Sequence, residues 1–213
     1  MKVLLIGATG ATGKDLLPLL LTDPTITQIT AFVRRDFDFS HPKLHAHITD
    51  FDNPDSYKHL VAGDVLFSAL GTTLKDAGSK QAQKKVDYTY QLDFAKAAKE
   101  NNVPSLVLVS AANASKSSPF FYAKIKGELE DDIRQLNFSK LIIFQPLSLD
   151  RKDSNRLLEN LSTKALYFFN SIGLLKSYKP LPTKMLAQAM LNTAKSLPNG
   201  SHLIVGQDIR KHV

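Results

Sequence analysis

The chain opens with MKVLLIGATGATGKDLLPLLL, in which an apolar run is interrupted by three glycines and then continues as a leucine-rich run. The glycines are Gly7, Gly10 and Gly13, a G-x-x-G-x-x-G spacing. If the first run is a strand and the second a helix, the turn between them presents free N–H groups and the positive end of the helix dipole. Together these bind phosphate.

Each glycine has a use in such a turn. Gly7 permits a tight bend, Gly10 lets the chain approach a pyrophosphate closely, and Gly13 lets the helix pack against the strand. The alternative is a glycine-rich turn that binds nothing. Because the glycines follow the first of several predicted strands, we predict a dinucleotide-binding turn formed by Gly7, Thr9, Gly10, Ala11, Thr12 and Gly13.

Short β-rich runs alternate with helix-length segments along most of the chain. Strands are predicted at 2–6, 29–33, 44–48, 64–70, 105–111, 140–146 and 202–206. Helices are predicted at 11–21, 55–60, 81–101, 120–136, 157–175 and 183–196. This alternation predicts an α/β fold with a doubly wound, mostly parallel, Rossmann-like sheet.

The length of 213 residues and the absence of a linker-like stretch predict one domain, 1–213. The strand–helix alternation weakens after Pro146. We therefore predict that 147–200 adds a small C-terminal extension that caps the substrate side of that domain.

The end of the second predicted strand indicates which dinucleotide binds. An NAD site usually has an acidic residue there, which accepts a hydrogen bond from the ribose 2′-hydroxyl. Here the sequence is AFVRRD, so Arg34 and Arg35 occupy that place. Guanidinium groups suit a 2′-phosphate, and the prediction is NADP(H). Two ordinary surface arginines are the alternative.

Other cofactor-binding candidates follow from strand position alone, because open α/β sheets bind ligands at the carboxyl ends of their strands. The third strand ends at Asp50 and Phe51, which could face an adenine, although Asp50 could equally be a plain loop carboxylate. The fourth strand leads into Ala69, Leu70, Gly71 and Thr72.

A candidate catalytic set lies in the stretch VSAANASKSSPFFYAKIKGELE. Tyr122 and Lys126 are four residues apart in a predicted helix and share one face. A neighbouring ammonium favours the phenolate and lowers a tyrosine pKa from its usual value of about 10, which suits proton transfer. Ser110 lies at the carboxyl end of the fifth predicted strand. The pair could also be a chance helical pair.

These motifs carry a family resemblance. GATGATG, the arginine pair, Ser110 and YAKIK together resemble an atypical or extended short-chain dehydrogenase/reductase. ALGTTLKDAG, VDYTY and YAKIKGELE are similar to the compact NAD(P)-binding branch that includes the human Tat-interacting protein and bacterial oxidoreductase-like proteins. The resemblance covers most of residues 1–150.

The resemblance implies an NADP(H)-dependent oxidoreductase acting on a small carbonyl or alcohol. It implies that Ser110 orients the substrate carbonyl, that Tyr122 donates a proton, and that Lys126 binds the nicotinamide ribose. Pro146 and Leu147 would lie near the carboxamide.

Two positions depart from the family pattern. Asp87 stands where many relatives have asparagine, and Leu147 where they often have glycine. Some members of the superfamily bind the cofactor without known turnover. The alternative function is therefore a non-catalytic NADP(H)-binding regulator or redox sensor that acts through a protein partner.

Composition narrows the remaining classes. The chain has no cysteine, and only four apolar residues stand between Lys2 and Gly7, too few for a signal-peptide core. We expect a cytoplasmic protein with a small-molecule substrate and no membrane partner; a homodimer is one option for its assembly. The net charge of +7 is dispersed and accompanied by no nucleic-acid motif, so no nucleic-acid partner is expected. The histidines of HPKLHAH have no carboxylate or thiolate at a suitable spacing, so no metal site is predicted.

Overall fold

The main sheet of the protein contains seven parallel strands. The computed structural model describes residues 1–36, 39–150 and 180–213. In the order β3-β2-β1-β4-β5-β6-β9, the strands are β3 (Leu44–Ile48), β2 (Gln28–Val33), β1 (Lys2–Ile6), β4 (Val65–Ser68), β5 (Ser105–Val109), β6 (Lys140–Gln145) and β9 (Gly200–Val205). The predicted doubly wound parallel sheet is confirmed. Its order reverses between β1 and β4, where such sheets bind ligands.

A separate two-stranded sheet pairs β7 (Leu149–Asp150) with β8 (Leu181–Pro182). Within the described ranges the α-helices are α1 (Ala11–Thr22), α2 (Leu74–Ala77), α3 (Lys80–Lys84), α4 (Tyr90–Glu100), α5 (Phe121–Gln135) and α6 (Thr183–Ser196). A π-helical segment, Lys85–Thr89, joins α3 to α4. The chain ends in a 3₁₀ segment, Gly206–His212.

The predicted helix at 55–60 is wrong. The segment forms two 3₁₀ turns, Pro54–Ser56 and Lys58–Leu60, separated by Tyr57. Tyr57 has a φ of −128°, outside the helical region, and its ring stacks on that of Phe94 with a centroid distance of 4.2 Å. The backbone at Tyr57 leaves the helical conformation, and this residue buries its ring against Phe94 instead of continuing a helix.

The core consists of two apolar layers, one on each face of the sheet. Side chains of β1 alternate between them: Val3 and Leu5 enter one layer, and Leu4 and Ile6 the other. The first layer is completed by α1 and α6, and the second by α4 and α5. Because β1 is buried on both faces, it is a continuous apolar run rather than an alternating one.

Residues 180–213 belong largely to these layers and to the sheet. Helix α6 packs against α1, and β9 extends the sheet beyond β6. Residues 151–179, including the helix predicted at 157–175 and most of the predicted substrate-side cap, lie outside the described residues. For them the cap stays a prediction.

An ion pair joins the two helices of the first layer. Lys195 Nζ of α6 lies 2.6 Å from Asp23 Oδ2, just beyond the end of α1. The hydrogen bond from Lys195, together with one from Thr25, lowers the pKa of Asp23 to about 2.

We expect Asp23→Asn to destabilise the protein by about 1 kcal/mol at neutral pH. The carboxylate has a lower pKa in the folded state, so its contribution is present above its ordinary value of 3.8 and is lost as the pH falls towards about 2. Urea unfolding of both proteins between pH 7 and pH 2 measures this. A difference in unfolding free energy between the two proteins that stays constant from pH 7 to pH 2 would contradict this expectation.

Candidate functional site

The glycine turn between β1 and α1 is shaped by close backbone contacts. Gly7 has a φ of +87°, and a Cβ there would lie 2.5 Å from the carbonyl carbon and oxygen of Ala69. A Cβ on Gly13 would lie 2.0 Å from the carbonyl oxygen of Gly7. These two glycines are required by the fold itself. Gly10 differs, since a Cβ there would lie 3.3 Å from its nearest neighbour, the carbonyl oxygen of Gly7.

Gly10 is also the N-cap of α1, and as a glycine it has no side chain with which to cap this helix end. Its own N–H donates to the Gly7 carbonyl at 2.9 Å, which closes the turn. The start of α1 therefore offers main-chain N–H groups and a partial positive charge at the carboxyl edge of the sheet.

A cleft of about 460 Å³ lies beside this turn, where the strand order reverses. It brings together the glycine turn, the end of β2 and the loop after β4. Its lining residues are Gly7, Ala8, Thr9, Gly10, Phe32, Val33, Arg34, Arg35, Asp36, Phe51, Ala69, Leu70, Gly71, Thr72 and Val86.

Most of the predicted cofactor-binding residues lie on this cleft, and some do not. Ala11, Thr12 and Gly13 stand behind the turn, in the first residues of α1. Asp50 is exposed and outside the lining, and its Oδ1 accepts a hydrogen bond from the backbone N–H of Asp52. Phe51 is buried, and it lines the cleft.

Pro146 and Leu147 also lie outside the cleft lining. The Pro146 carbonyl accepts a hydrogen bond of 3.1 Å from Ala112 N–H, which ties the turns after β5 and β6 together. Leu147 packs where Gly206 has a φ of +55°; a Cβ on this glycine would lie 3.2 Å from Leu147 Cδ1. Leu147 thus contacts the C-terminal segment.

Lys126 is the most deeply buried of the candidate catalytic residues, with 1% of its surface exposed. Its Nζ lies 4.0 Å from Oδ1 of Asp87, a residue that is fully buried. In the described part of the chain Nζ donates to no hydrogen-bond acceptor. Burial lowers the pKa of Lys126, and the carboxylates of Asp87 and Glu130 oppose that effect.

Ser110 belongs to a buried polar network at the ends of β5 and β6. Its hydroxyl donates to Glu130 Oε1. The Gln145 amide donates to both oxygens of the same carboxylate, at 2.9 and 3.1 Å, and Arg134 donates to Oε2 at 3.3 Å. Glu130 therefore holds Ser110 in one orientation.

Tyr122 and Lys126 both lie on α5, as predicted, but in different surroundings. Tyr122 is 40% exposed in the first turn of the helix, and Lys126 points into the interior. The start of α5 is fixed by the loop after β5, which lies directly on the helix: a Cβ on Gly127 would be 2.2 Å from the Ser115 carbonyl carbon.

Sequence reasoning missed Glu130 and Gln145, and it treated Asp87 only as a departure from a pattern. Glu130 follows Lys126 by four residues and so shares its face of α5, which is a signal that the sequence contains. Gln145 carries no comparable signal, because its partner is set by packing of β6 against α5.

The histidines of the third strand region contact protein groups. The His41 ring accepts a hydrogen bond from Lys43 N–H, and the His47 ring stacks on Phe32. Among the described residues, no cluster of three side chains could hold a metal ion.

A dinucleotide fits the chemistry of these residues. The glycine turn offers main-chain N–H groups, the arginines offer positive charge, and Lys126 offers a buried ammonium that lacks an acceptor in the described part of the chain. Lys126 joins the cleft through Asp87, whose Oδ2 accepts a hydrogen bond of 3.3 Å from Thr72 N–H.

Two relatives align with almost the whole chain. Protein FMP52, mitochondrial, of Candida albicans is 35% identical over 221 residues, covering 98% of this chain and 96% of the relative. Protein HTATIP2 of Rattus norvegicus is 35% identical over 206 residues, covering 93% of this chain and 83% of the relative.

Solved structures share the fold at low identity. The Bordetella bronchiseptica enzyme WbmH in complex with NAD+ has a TM-score of 0.70 at 18% identity, covering 94% of this chain and 74% of that chain. UDP-glucuronic acid 4-epimerase from Bacillus cereus in complex with NAD has a TM-score of 0.69 at 15% identity, covering 96% and 78%. These likenesses concern the fold alone.

The expectation of a cytoplasmic protein is wrong. Relatives from Candida albicans, Meyerozyma guilliermondii and Saccharomyces cerevisiae, 35–37% identical to this chain, are named mitochondrial. The absence of a long apolar run excludes a secretory signal peptide. Mitochondrial targeting uses amphipathic segments instead, so this criterion could not distinguish a mitochondrial protein from a cytoplasmic one. No helix within the described ranges has the length and apolar character to cross a bilayer.

A family profile described as NAD(P)H-binding matches residues 7–150. That range begins at the first glycine of the turn and contains the cleft, Asp87 and the whole of α5. The chain therefore belongs to the NAD(P)H-binding family, and its fold is that of the NAD(P)-binding oxidoreductases.

Proposed function

We propose that this protein is an NADP(H)-dependent oxidoreductase of the short-chain dehydrogenase/reductase type that acts on a small carbonyl or alcohol. One observation carries the proposal: the cleft at the strand reversal joins the glycine turn to Arg34 and Arg35, and Thr72 at its other end connects through Asp87 to the buried Lys126. The candidate phosphate-binding and charge-selecting groups thus share one cleft, and one of the three candidate catalytic residues, Lys126, is linked to it.

In this mechanism the glycine turn, Arg34 and Arg35 would hold the dinucleotide, which would supply the hydride chemistry at the substrate carbon. In the reductive direction Tyr122 donates its phenol proton to the substrate oxygen, and in the oxidative direction its phenolate takes the hydroxyl proton. Lys126 stabilises the phenolate by its charge and holds the nicotinamide ribose. Ser110 donates to the substrate oxygen once its hydroxyl has been released from Glu130.

A direct test combines binding and turnover. NADPH fluorescence titration measures binding, and a panel of small aldehydes, ketones and quinones, followed by NADPH absorbance, measures turnover. Binding with substrate-dependent oxidation is the expected result. A protein that binds neither NADPH nor NADH would contradict the proposal.

The choice of NADP(H) over NAD(H) rests on the arginine pair. Arg34 and Arg35 both line the cleft at the end of β2. We expect wild-type protein to bind NADPH more tightly than NADH, and Arg34→Ala to remove most of the difference. A lost charge-assisted hydrogen bond costs roughly 1.5–3 kcal/mol, or about tenfold or more in Kd.

Isothermal titration with both cofactors measures that difference. Lys58→Ala is a matched control, since it removes a positive charge that pairs with Asp55 away from the cleft. Equal affinities of wild-type protein for NADPH and NADH would contradict the assignment.

A non-catalytic NADP(H)-binding regulator is the second candidate. Two observations favour it: the Ser110 hydroxyl donates its hydrogen bond to Glu130, and Ser110 is buried, with 4% of its surface exposed. A serine that donates to a carbonyl must first release this carboxylate. NADPH binding without turnover of any carbonyl compound would favour this function.

A further inference from the structure

Asp87 occupies an unusual position between the cleft and Lys126. It lies in the π-helical segment Lys85–Thr89, where an extra residue is inserted between α3 and α4. Such insertions frequently occur at functional sites. The preceding residue, Val86, lines the cleft, and Asp87 is fully buried with Oδ1 4.0 Å from Lys126 Nζ.

The surroundings of Lys126 make this carboxylate electrostatically important. A buried ammonium tends to lose its proton, and an opposite charge within about 4–6 Å opposes the loss. Among the described residues, the charged groups that act on Lys126 are the carboxylates of Asp87, from the π-helical segment, and of Glu130, from α5 itself.

Glu130 is less available to stabilise that charge. Its carboxylate accepts hydrogen bonds from Ser110 and Gln145, and a guanidinium cation, Arg134, lies 3.3 Å from Oε2. The positive charge of Arg134 offsets much of its field. Asp87 is therefore the carboxylate that acts most strongly on Lys126, and both side chains of this pair are shielded from water.

Asp87 also contacts the cleft directly. Its Oδ2 accepts from Thr72 N–H, and a Cβ on Gly71 would lie 3.5 Å from its Oδ1. Gly71 and Thr72 both line the cleft. The same carboxylate thus positions the loop after β4 and faces the lysine.

We propose that Asp87 is a positioning residue that keeps Lys126 in its charged form beside the cofactor-binding cleft. The consequence of this inference rests on the proposed function: Asp87 sets the pH above which NADP(H) binding weakens. The electrostatic effect of Asp87 on Lys126 involves only these two buried side chains and can be tested without cofactor.

The first experiment follows Lys126 itself. Protein labelled with ¹³C at lysine Cε is titrated by NMR, and the Lys126 resonance is identified by its absence in Lys126→Met. In Asp87→Asn the amide oxygen can still accept from Thr72 N–H, but the charge is gone. We expect its Lys126 resonance to titrate about one pH unit or more below that of the wild type.

The second experiment measures NADPH affinity against pH by fluorescence titration. Lys126 binds best when charged, so affinity falls as the pH rises through its titration. In Asp87→Asn this fall should move to lower pH by the same interval, which makes Kd about tenfold higher at a pH between the two transitions. Asp132→Asn is the matched control, because it removes a carboxylate of α5 that bonds Tyr88.

The outcomes separate the two proposals. A Lys126 titration that is unchanged in Asp87→Asn, or displaced equally in Asp132→Asn, overturns the role of Asp87. If the wild type binds no NADPH but the Lys126 titration moves, the proposed function fails and the electrostatic role of Asp87 stands. Should Asp87→Asn not fold, Asp87→Ser, whose hydroxyl can accept from Thr72, undergoes the same titration with the same expected displacement.

Discussion

Replacing Gly10 with valine should abolish NADP(H) binding and leave the fold intact. The backbone at Gly10 has φ −79° and ψ 174°, values that valine adopts readily. An added Cβ would meet the Gly7 oxygen at 3.3 Å, which requires only a small adjustment. The branched side chain would project where the turn must approach the pyrophosphate. Loss of two charge-assisted contacts corresponds to about 100-fold or more in Kd.

Gly13→Ala provides the opposite result from the same motif. Its Cβ would lie 2.0 Å from the Gly7 carbonyl oxygen, so backbone atoms must move. Overpacking of this kind costs about 1–3 kcal/mol, and we expect Tm to fall by about 2–12 °C. Circular dichroism melting and NADPH titration distinguish the variants. Gly10→Val protein that still binds NADPH with wild-type affinity would show that the turn serves the fold alone.

The fold could be predicted from the sequence because burial on both faces leaves a direct trace in composition. The β1 run was located without error for this reason. Predicted strands 64–70, 105–111 and 140–146 extended too far at their carboxyl ends. Apolar residues continue there because the loops of the site are themselves buried, and an apolar pattern reports burial rather than pairing in the sheet.

The helix predicted at 81–101 shows the opposite limitation. The segment is helical, as predicted, but it is divided into α3, the π-helical segment and α4. A single inserted residue changes hydrogen bonding without changing the apolar period enough to be seen. The insertion is accompanied by burial of Asp87 opposite Lys126, a contact between residues 39 positions apart that no local pattern encodes.

The candidate site was predictable to the extent that strand position determines it. The glycine turn, Arg34 and the loop after β4 meet because they follow β1, β2 and β4, three adjacent strands of the sheet. Asp50 and Phe51 both follow β3, an edge strand, yet Phe51 lines the cleft and Asp50 does not, so strand position alone does not separate them. The network of Ser110, Glu130 and Gln145 depends on how α5 packs across β5 and β6, which is a property of side-chain packing.

Replacing Tyr122 with phenylalanine should remove turnover and spare cofactor binding. The change deletes one hydroxyl from a side chain that is 40% exposed in the first turn of α5, so the fold loses little. Without the phenol no group in the proposed mechanism donates the proton to the substrate oxygen. Proton transfer by a positioned group contributes about 10²–10⁴-fold, and kcat should fall by about 10³-fold.

Two further measurements make this result specific. The Kd for NADPH should stay within about threefold of the wild-type value, because Lys126 and the cleft are unchanged. Tyr88→Phe is the matched control: it deletes a hydroxyl that donates to Asp132 at 2.6 Å, and kcat should remain at the wild-type level. If Tyr122→Phe turns over carbonyl substrates as fast as the wild type, Tyr122 and Lys126 are an ordinary helical pair, and the regulator becomes the better description.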